Sequence, residues 1–414
     1  MSYATPESGD GTPRPETVTE VLRLFPEPFT HTAQWTGNEW NPDDMHALRE
    51  LYGVARYDRS AFMDYPTVVP DVLEHYWNPP EPRMYAGGTE LLIRGGFGSG
   101  KSTFDRLLAY MVLDINNTVG RGRNVEPKDA DEPFPPYPEE ERTETVVWRG
   151  SSKRSEWLPL APIARLCLPS DTEIDVRLDP KRKSLTSFSL DVDDLANVVR
   201  EVVYYDSPTD LNRNKLRHGG FNVVYPDPRM RGCNSVYEDS PEFRVEKPSR
   251  GELFHPEDSA DHWWFGWFLS RLVDGPFPFT TWISDEMGDL TPQSASKDEM
   301  GTYQKIELMA RAWADARKKG LSIFTSAQTL TDFHEKIRRK FRWRSVMAGT
   351  SVPTNAGKVV GWESTPFTWS GLVERKPVGW AVVFTQTNWM RFKYPELPYE
   401  QPYILSIFVG GGPV

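Results

Sequence analysis

Residues 95–102 read Gly-Gly-Phe-Gly-Ser-Gly-Lys-Ser, and this octet decides how the chain folds. Gly95, Gly98 and Gly100 let the backbone turn so that successive N–H groups point inward, a concave nest suited to phosphate oxygens. Lys101 adds a positive charge for the β- and γ-phosphates, and Ser102 a hydroxyl for a magnesium ion. Gly96, Phe97, Ser99 and Thr103 complete the expected nucleotide-contacting set. The flanks agree with that reading. Leu91-Leu92-Ile93 is a short apolar strand, and Ser102 to about Ile115 carries Leu107, Leu108, Met111 and Val112 as an apolar stripe at helical spacing. Strand, glycine loop and helix together turn the pattern into a Walker A loop, because the N-terminus of the helix favours the same anion. The predicted ligands are ATP and Mg2+.

A phosphate loop needs a second carboxylate for the metal and a group that activates water. Phe279 to Ser284 is an apolar strand that ends in Asp285-Glu286. Adjacent side chains at a strand end diverge, so one acid can face the metal and the other the nucleophile. Asp285 is expected to serve magnesium and Glu286 to orient or deprotonate the attacking water. Asp175, Asp206 and the Asp191-Val-Asp-Asp run compete for the role, but only Asp285 follows a strongly apolar strand and precedes another strand and helix unit. That next strand, Leu321 to Thr325, runs into Ser326-Ala327-Gln328, which would set the Gln328 amide near the γ-phosphate as a sensor of hydrolysis.

The rest of the chain divides unevenly. Residues 1–40 read as a flexible arm, 41–117 as the first part of the ATPase core, and 118–250 as an insertion. The span between Lys101 and Asp285 far exceeds the roughly 30 residues of one β-α-β crossover, which is why an insertion is expected. Residues 251–350 resume the core: a helix over Trp263 to Leu272, a long helix over about Lys297 to Lys319, and a basic helix over about Thr331 to Lys340. Residues 351–414 read as a short β-rich extension. A further helix is expected from Asp191 to Val203. The fold class is therefore α/β, a mainly parallel sheet flanked by helices on a P-loop NTPase core, with a large insertion and a short β-rich C-terminal part.

The order of glycine loop, Asp-Glu strand, helix ending in Ala316-Arg317-Lys318-Lys319-Gly320, strand ending in Gln328 and basic helix resembles the FtsK–HerA branch of P-loop motors. The resemblance covers residues 90–115 and 278–345. It implies an ATP-hydrolysing motor that moves DNA as a homo-oligomeric ring, in viral genome packaging or plasmid transfer, with capsid or transfer-apparatus proteins as further partners. It also implies an arginine finger acting between subunits, for which Arg311 and Arg317 are the candidates. Two other functions stay open from the residues alone. One is an ATP-dependent assembly or switch protein acting on other proteins. The other is a small-molecule kinase, whose lid would draw on Arg121, Arg123 and Arg142.

Composition narrows the field further. With 38% hydrophobic and 13% aromatic residues the chain can build a sizeable core. Its longest apolar runs fall well short of the roughly 20 residues of a membrane span, so no integral membrane segment is expected. Two cysteines and seven histidines without paired spacing argue against a zinc site or disulfide framework. A cytoplasmic protein is the expectation, in the host cytoplasm if viral, with association with the virion as the alternative. The net charge is −11, yet Lys336 to Arg344 carries six basic residues interleaved with Phe341 and Trp343, a candidate nucleic-acid contact. The run Trp263 to Leu269, aromatic all round, reads as core packing behind the sheet.

Overall fold

The computed structural model describes residues 15–28, 42–54, 57, 72–76, 86–118, 144–152, 154–182, 185–350, 375–385, 389–394 and 402–410. Most of the expected arm, the Pro-rich stretches at 66–70 and 79–82, nearly all of the acidic loop at 118–142 and the lid arginines Arg121, Arg123 and Arg142 lie outside these residues.

Among the described residues, thirteen strands form two sheets. The strands are β1 (Glu90–Arg94), β2 (Thr145–Arg149), β3 (Ala164–Pro169), β4 (Ile174–Pro180), β5 (Phe188–Leu190), β6 (Glu201–Tyr205), β7 (Phe221–Val224), β8 (Thr280–Ser284), β9 (Leu321–Ala327), β10 (Trp343–Met347), β11 (Trp380–Phe384), β12 (Trp389–Lys393) and β13 (Tyr403–Val409). Ten of them make one sheet in the order β12-β11-β10-β1-β9-β8-β2-β7-β3-β6. From β10 to β6 every neighbouring pair is parallel, and the pairings β10–β11 and β11–β12 are antiparallel, so β11 alone of the ten runs against the rest. Parallel strands buried on both faces read as short apolar runs; β1, β2, β7 and β9 are apolar and buried along most of their length, and β8, Thr-Thr-Trp-Ile-Ser, is buried throughout. The small second sheet, β13-β4-β5, is antiparallel and ties residues 403–409 to residues 174–180.

The stretch 118–250, read from the sequence as an insertion, supplies β2, β3, β6 and β7 to the main sheet, with β2 directly beside β8. Its connections are 3-10 turns and irregular loops such as Leu158–Ile163 and Val192–Asn197, which leave no 3.6-residue rhythm to announce a β-α-β unit. For the same reason the helix expected over Asp191–Val203 is absent. Asp191 and Asp194 form a capping box, but a single 3-10 turn follows, and Glu-Val-Val-Tyr-Tyr takes the strand its branched and aromatic residues favour. Part of the expected flexible arm is also ordered: Thr17 and Glu20 cap a short helix, Val18–Leu22, and Val21 and Phe25 are buried.

Two helices flank the centre of the sheet. Lys101–Thr118 follows β1, and its Phe104, Leu107, Leu108, Met111 and Val112 join one core cluster. Trp263–Val273 joins the other, where Trp264 stacks on Trp282 of β8 with ring centroids 5.4 Å apart. Trp263, Trp264, Trp267 and Trp282 are all fully buried, so the aromatic run is core, as its all-round hydrophobicity implied.

Candidate active site

Open parallel sheets place ligands at the carboxyl ends of their strands, and here three adjacent ends carry the chemistry. β1 leads into the phosphate loop, β8 into Asp285-Glu286, and β9, lying between them, into Gln328. The interleaving of β9 brings the amide beside the acids. The Gln328 amide lies close enough to Glu286 to favour its charged form.

Backbone geometry explains the glycines. Gly98 and Gly100 hold φ of 71° and 87°, the left-handed region that side chains avoid. A Cβ on Gly95 would lie 2.2 Å from Ser99 Oγ and 2.8 Å from Lys101 Cγ. Gly95 N–H donates to Ala327 O at 3.2 Å, fixing the loop to the end of β9. Lys101 is 8% exposed, and its Nζ donates to Gly95 O at 3.0 Å and Gly96 O at 3.3 Å, which sets the ammonium inside the loop. Ser99 Oγ is buried with no partner. Ser102 and Thr103 open the helix half-buried, and Thr103 Oγ1 accepts from Arg106 at 2.8 Å. Gly96 lies exposed at the rim, its N–H given to Thr350 Oγ1 at 3.2 Å. Phe97 stands out into solvent, 96% exposed. From behind, Tyr394, just after β12, donates to Gly100 O at 3.3 Å and packs on Phe104.

The acids sit under tension. Glu286 has φ 52° and ψ 59°, a left-handed conformation for a non-glycine residue, and caps the short helix Met287–Leu290. Such a conformation costs on the order of 1–2 kcal/mol and persists where its surroundings over-determine it. Burial, with Asp285 beside it, raises the Glu286 carboxyl above its ordinary range, while Lys101 and Gln328 act in the opposite sense. A carboxylate raised in this way is better matched to accept a proton near neutral pH. Ser326 Oγ, at the end of β9, donates to Asp285 Oδ1.

Sequence reasoning missed three residues here. Asp105 lies one turn along the helix from Lys101, fully buried, and neither carboxylate oxygen has a hydrogen-bond partner. Burial, then the neighbouring Asp285, pushes it well above the ordinary carboxylate range. Its spacing of four from Lys101 was the available signal. Arg149, the last residue of β2, donates to Asp285 O at 3.1 Å and Glu286 O at 3.4 Å and pairs with Asp261 at 2.8 Å. Arg154 lies 3.9 Å from Asp285 Oδ2 and 3.0 Å from Asp289. Neither arginine belongs to a motif, since only the placement of β2 next to β8 brings them in.

Other expected residues go elsewhere. Arg317 donates to Ala86 O at 3.3 Å, near the start of β1 and so at the far end of the strand from the phosphate loop. Arg311 donates to Arg244 O and pairs with Glu307 at 2.9 Å. Neither reaches the acids of its own chain. Asp175 falls in the second sheet, and Asp206 follows β6 at the opposite edge from β1.

The basic helix shrinks to Glu335–Arg338. Within 336–344, Arg338 is buried and gives its protons to Leu330 O and Phe333 O. Arg344 is buried too, Lys336 bonds Tyr303, Arg342 faces Glu90, and Phe341 and Trp343 pack inward. The segment is therefore no free cationic stripe. Its alternation of basic and aromatic residues serves the entry into β10.

The residues fit a magnesium nucleotide: a glycine nest, a buried ammonium, Ser102, and Asp285 with one oxygen turned from Ser326. Among the described residues no helix is long and apolar enough to cross a membrane.

No protein-family model and no curated protein matches the sequence. Among solved structures, the chain is similar to the genome packaging NTPase B204 of Sulfolobus turreted icosahedral virus 2 in complex with ATP-gammaS, at 10% identity and a TM-score of 0.36, over 75% of this chain and 97% of that one. The cytoplasmic domain of the Type VII secretion ATPase EccC of Thermomonospora curvata matches at 12% identity and a TM-score of 0.31, over 75% of this chain and 24% of that one. Another structure, described only as an ATPase, matches at 12% identity and a TM-score of 0.31, over 86% of this chain and 97% of that one. By its own sheet order and phosphate loop, the chain has the fold of the P-loop NTPases.

Proposed function

We propose that the protein is a magnesium-dependent ATP hydrolase whose turnover drives movement of DNA through a ring of identical subunits. The observation that carries the hydrolase part is the convergence of Lys101, Asp285, Glu286 and Gln328 on the adjacent strand ends β1, β9 and β8. The phosphate loop and Lys101 bind the triphosphate. Ser102 and Asp285 would hold magnesium, which supplies positive charge against the phosphate oxygens when bound. Glu286 takes a proton from the attacking water as that oxygen bonds to the γ-phosphorus and the bridging oxygen leaves with ADP. Gln328, close to Glu286, orients the same water.

The DNA part rests on the FtsK–HerA resemblance of the motif order, with capsid or transfer proteins as further partners. ATP turnover of the purified chain is the test. Lys101→Ala should abolish it with the fold intact, and duplex DNA should raise the parent rate, with binding that weakens steeply as salt rises. A Lys101→Ala variant that hydrolyses at the parent rate would overturn the site. A parent that ignores DNA and stays monomeric with ATP would transfer the proposal to an assembly or switch role.

A further inference from the structure

A cavity of about 510 Å³ opens on the β2–β7 side of β8, and its wall includes Arg149, Ser151, Arg154, Asp261, Asp285 and Asp289. Asp285 belongs both to this cavity and to the nucleotide site. Its two oxygens are treated differently. Oδ1 accepts from Ser326, whereas Oδ2 faces Arg154 Nη1 at 3.9 Å, an ion pair too long for a hydrogen bond.

Arg154 is held in that position by other partners. Nη2 pairs with Asp289 at 3.0 Å, and Nη1 lies 3.5 Å from Asp285 O. The Arg154 side chain is 30% exposed and that of Asp285 10%, so water screens the pair only in part. The acid itself cannot retreat, since buried Arg149 grips the carbonyls of Asp285 and Glu286 and is pinned by Asp261. Gly150, between the two arginines, packs against Tyr225 where a Cβ would lie 2.6 Å from the ring. A fixed carboxylate thus faces a guanidinium across the oxygen that Ser326 leaves open. Any cation bound at that oxygen feels the guanidinium's repulsion.

We propose that Arg154 is a positioning residue that competes with the divalent cation for Asp285, and so sets how tightly the metal and its nucleotide are held. This rests on the reading of Asp285 as the metal's carboxylate. The arginine weakens the loaded site on purpose: a metal held less tightly lets the spent nucleotide leave. A unit charge a few ångströms from a divalent cation repels it by about 2 kcal/mol even at the dielectric of water, so the arginine shifts the ion's affinity by about tenfold or more.

Mn2+ bound in the presence of a non-hydrolysable ATP analogue, counted by electron paramagnetic resonance, tests it without turnover. Arg154→Ala and Arg154→Gln should each bind Mn2+ about tenfold more tightly than the parent, and Arg154→Lys should bind as the parent does. A merely structural role predicts the opposite sign, since a loosened site binds metal less well. Unchanged or weaker binding in both neutral variants overturns the proposal. Asp285→Asn separates the two readings. If it loses Mn2+ while the Arg154 variants match the parent, only the competition fails; if it binds Mn2+ as the parent does, the assignment of Asp285 fails and the competition with it.

Discussion

The two ends of the central strands are built on opposite terms. At the amino ends lies a closed polar network. His75 Nδ1 sits 2.9 Å from both Glu144 oxygens, and His75 Nε2 lies 2.8 Å from Thr89 Oγ1 and 2.9 Å from Val72 O. Thr281 donates to Glu144, Thr89 Oγ1 donates to Val72 O at 2.7 Å, and Ser322 Oγ takes the Thr89 N–H at 3.1 Å. His75, Glu144, Thr89, Thr281 and Ser322 are all buried. At the carboxyl ends, a few residues along the same strands, Ser99 Oγ and both Asp105 oxygens lack partners, and Glu286 is held in a strained conformation. The comparison teaches where stability is made and where it is given up. Satisfied polar groups fasten β1, β2, β8 and β9 together, and that rigidity is what holds the other end in a poised arrangement.

Breaking each end should therefore produce different losses. The largest effect is expected at Glu286. Changing it to Gln should cut ATP hydrolysis by about 10²–10⁴, the range typical of a lost general base, while the thermal midpoint and nucleotide affinity stay near those of the parent. Equal loss of nucleotide affinity would show that Glu286 binds rather than reacts.

Next comes Glu144→Ala at the closed end. It strands the His75 and Thr281 groups in the core, and at about 1–3 kcal/mol for each unsatisfied group it should cost roughly 3 kcal/mol of stability. Denaturant titration measures it. Hydrolysis per folded molecule should be unchanged, and a selective loss of activity would dissolve the division of labour between the two ends.

The smallest expected effect sharpens the contrast by way of pH. Asp105 is raised well above its ordinary 3.8 by burial. The folded chain therefore binds more protons than the unfolded one over the window from 3.8 up to the raised value, and stability falls as pH climbs through it. Asp105→Asn does not titrate. Its advantage over the parent, measured without nucleotide, should be absent below pH 3.8 and grow with pH to about 1–2 kcal/mol at neutrality. A difference that does not change with pH would mean Asp105 has its proton replaced by a partner in solution.

Much of the site was legible because it is local. Gly95 to Ser102 announce themselves by spacing, and Asp285-Glu286 and Ser326-Ala327-Gln328 by following apolar strands. The phosphate-loop helix, the aromatic helix and β8 and β9 carry their own periodicity. What stayed hidden depends on sheet order. Nothing in residues 144–149 says that β2 will lie against β8, so the sequence gives no link between Arg149 or Arg154 and the acids after β8. The strands of 164–224 are joined only by loops and helical pieces of three to six residues, too short to show a helical rhythm in the sequence. In Lys336 to Arg344 the cations looked free because the sequence does not reveal the carbonyls of Leu330 and Phe333 waiting for Arg338.

The tryptophan stack behind β8 has an optical consequence. Trp263, Trp264, Trp267 and Trp282 are fully buried, and their indole nitrogens have no hydrogen-bond partner. An indole shielded from water and from proton acceptors emits at the blue end of its range, and neighbours 5.2–5.4 Å apart exchange excitation energy. Trp282 lies on the strand that ends at Asp285, so a shift of that strand changes the coupling of the whole stack. The part of the emission that these four of the fifteen tryptophans contribute should therefore respond to the position of the acid end of β8 without any added label.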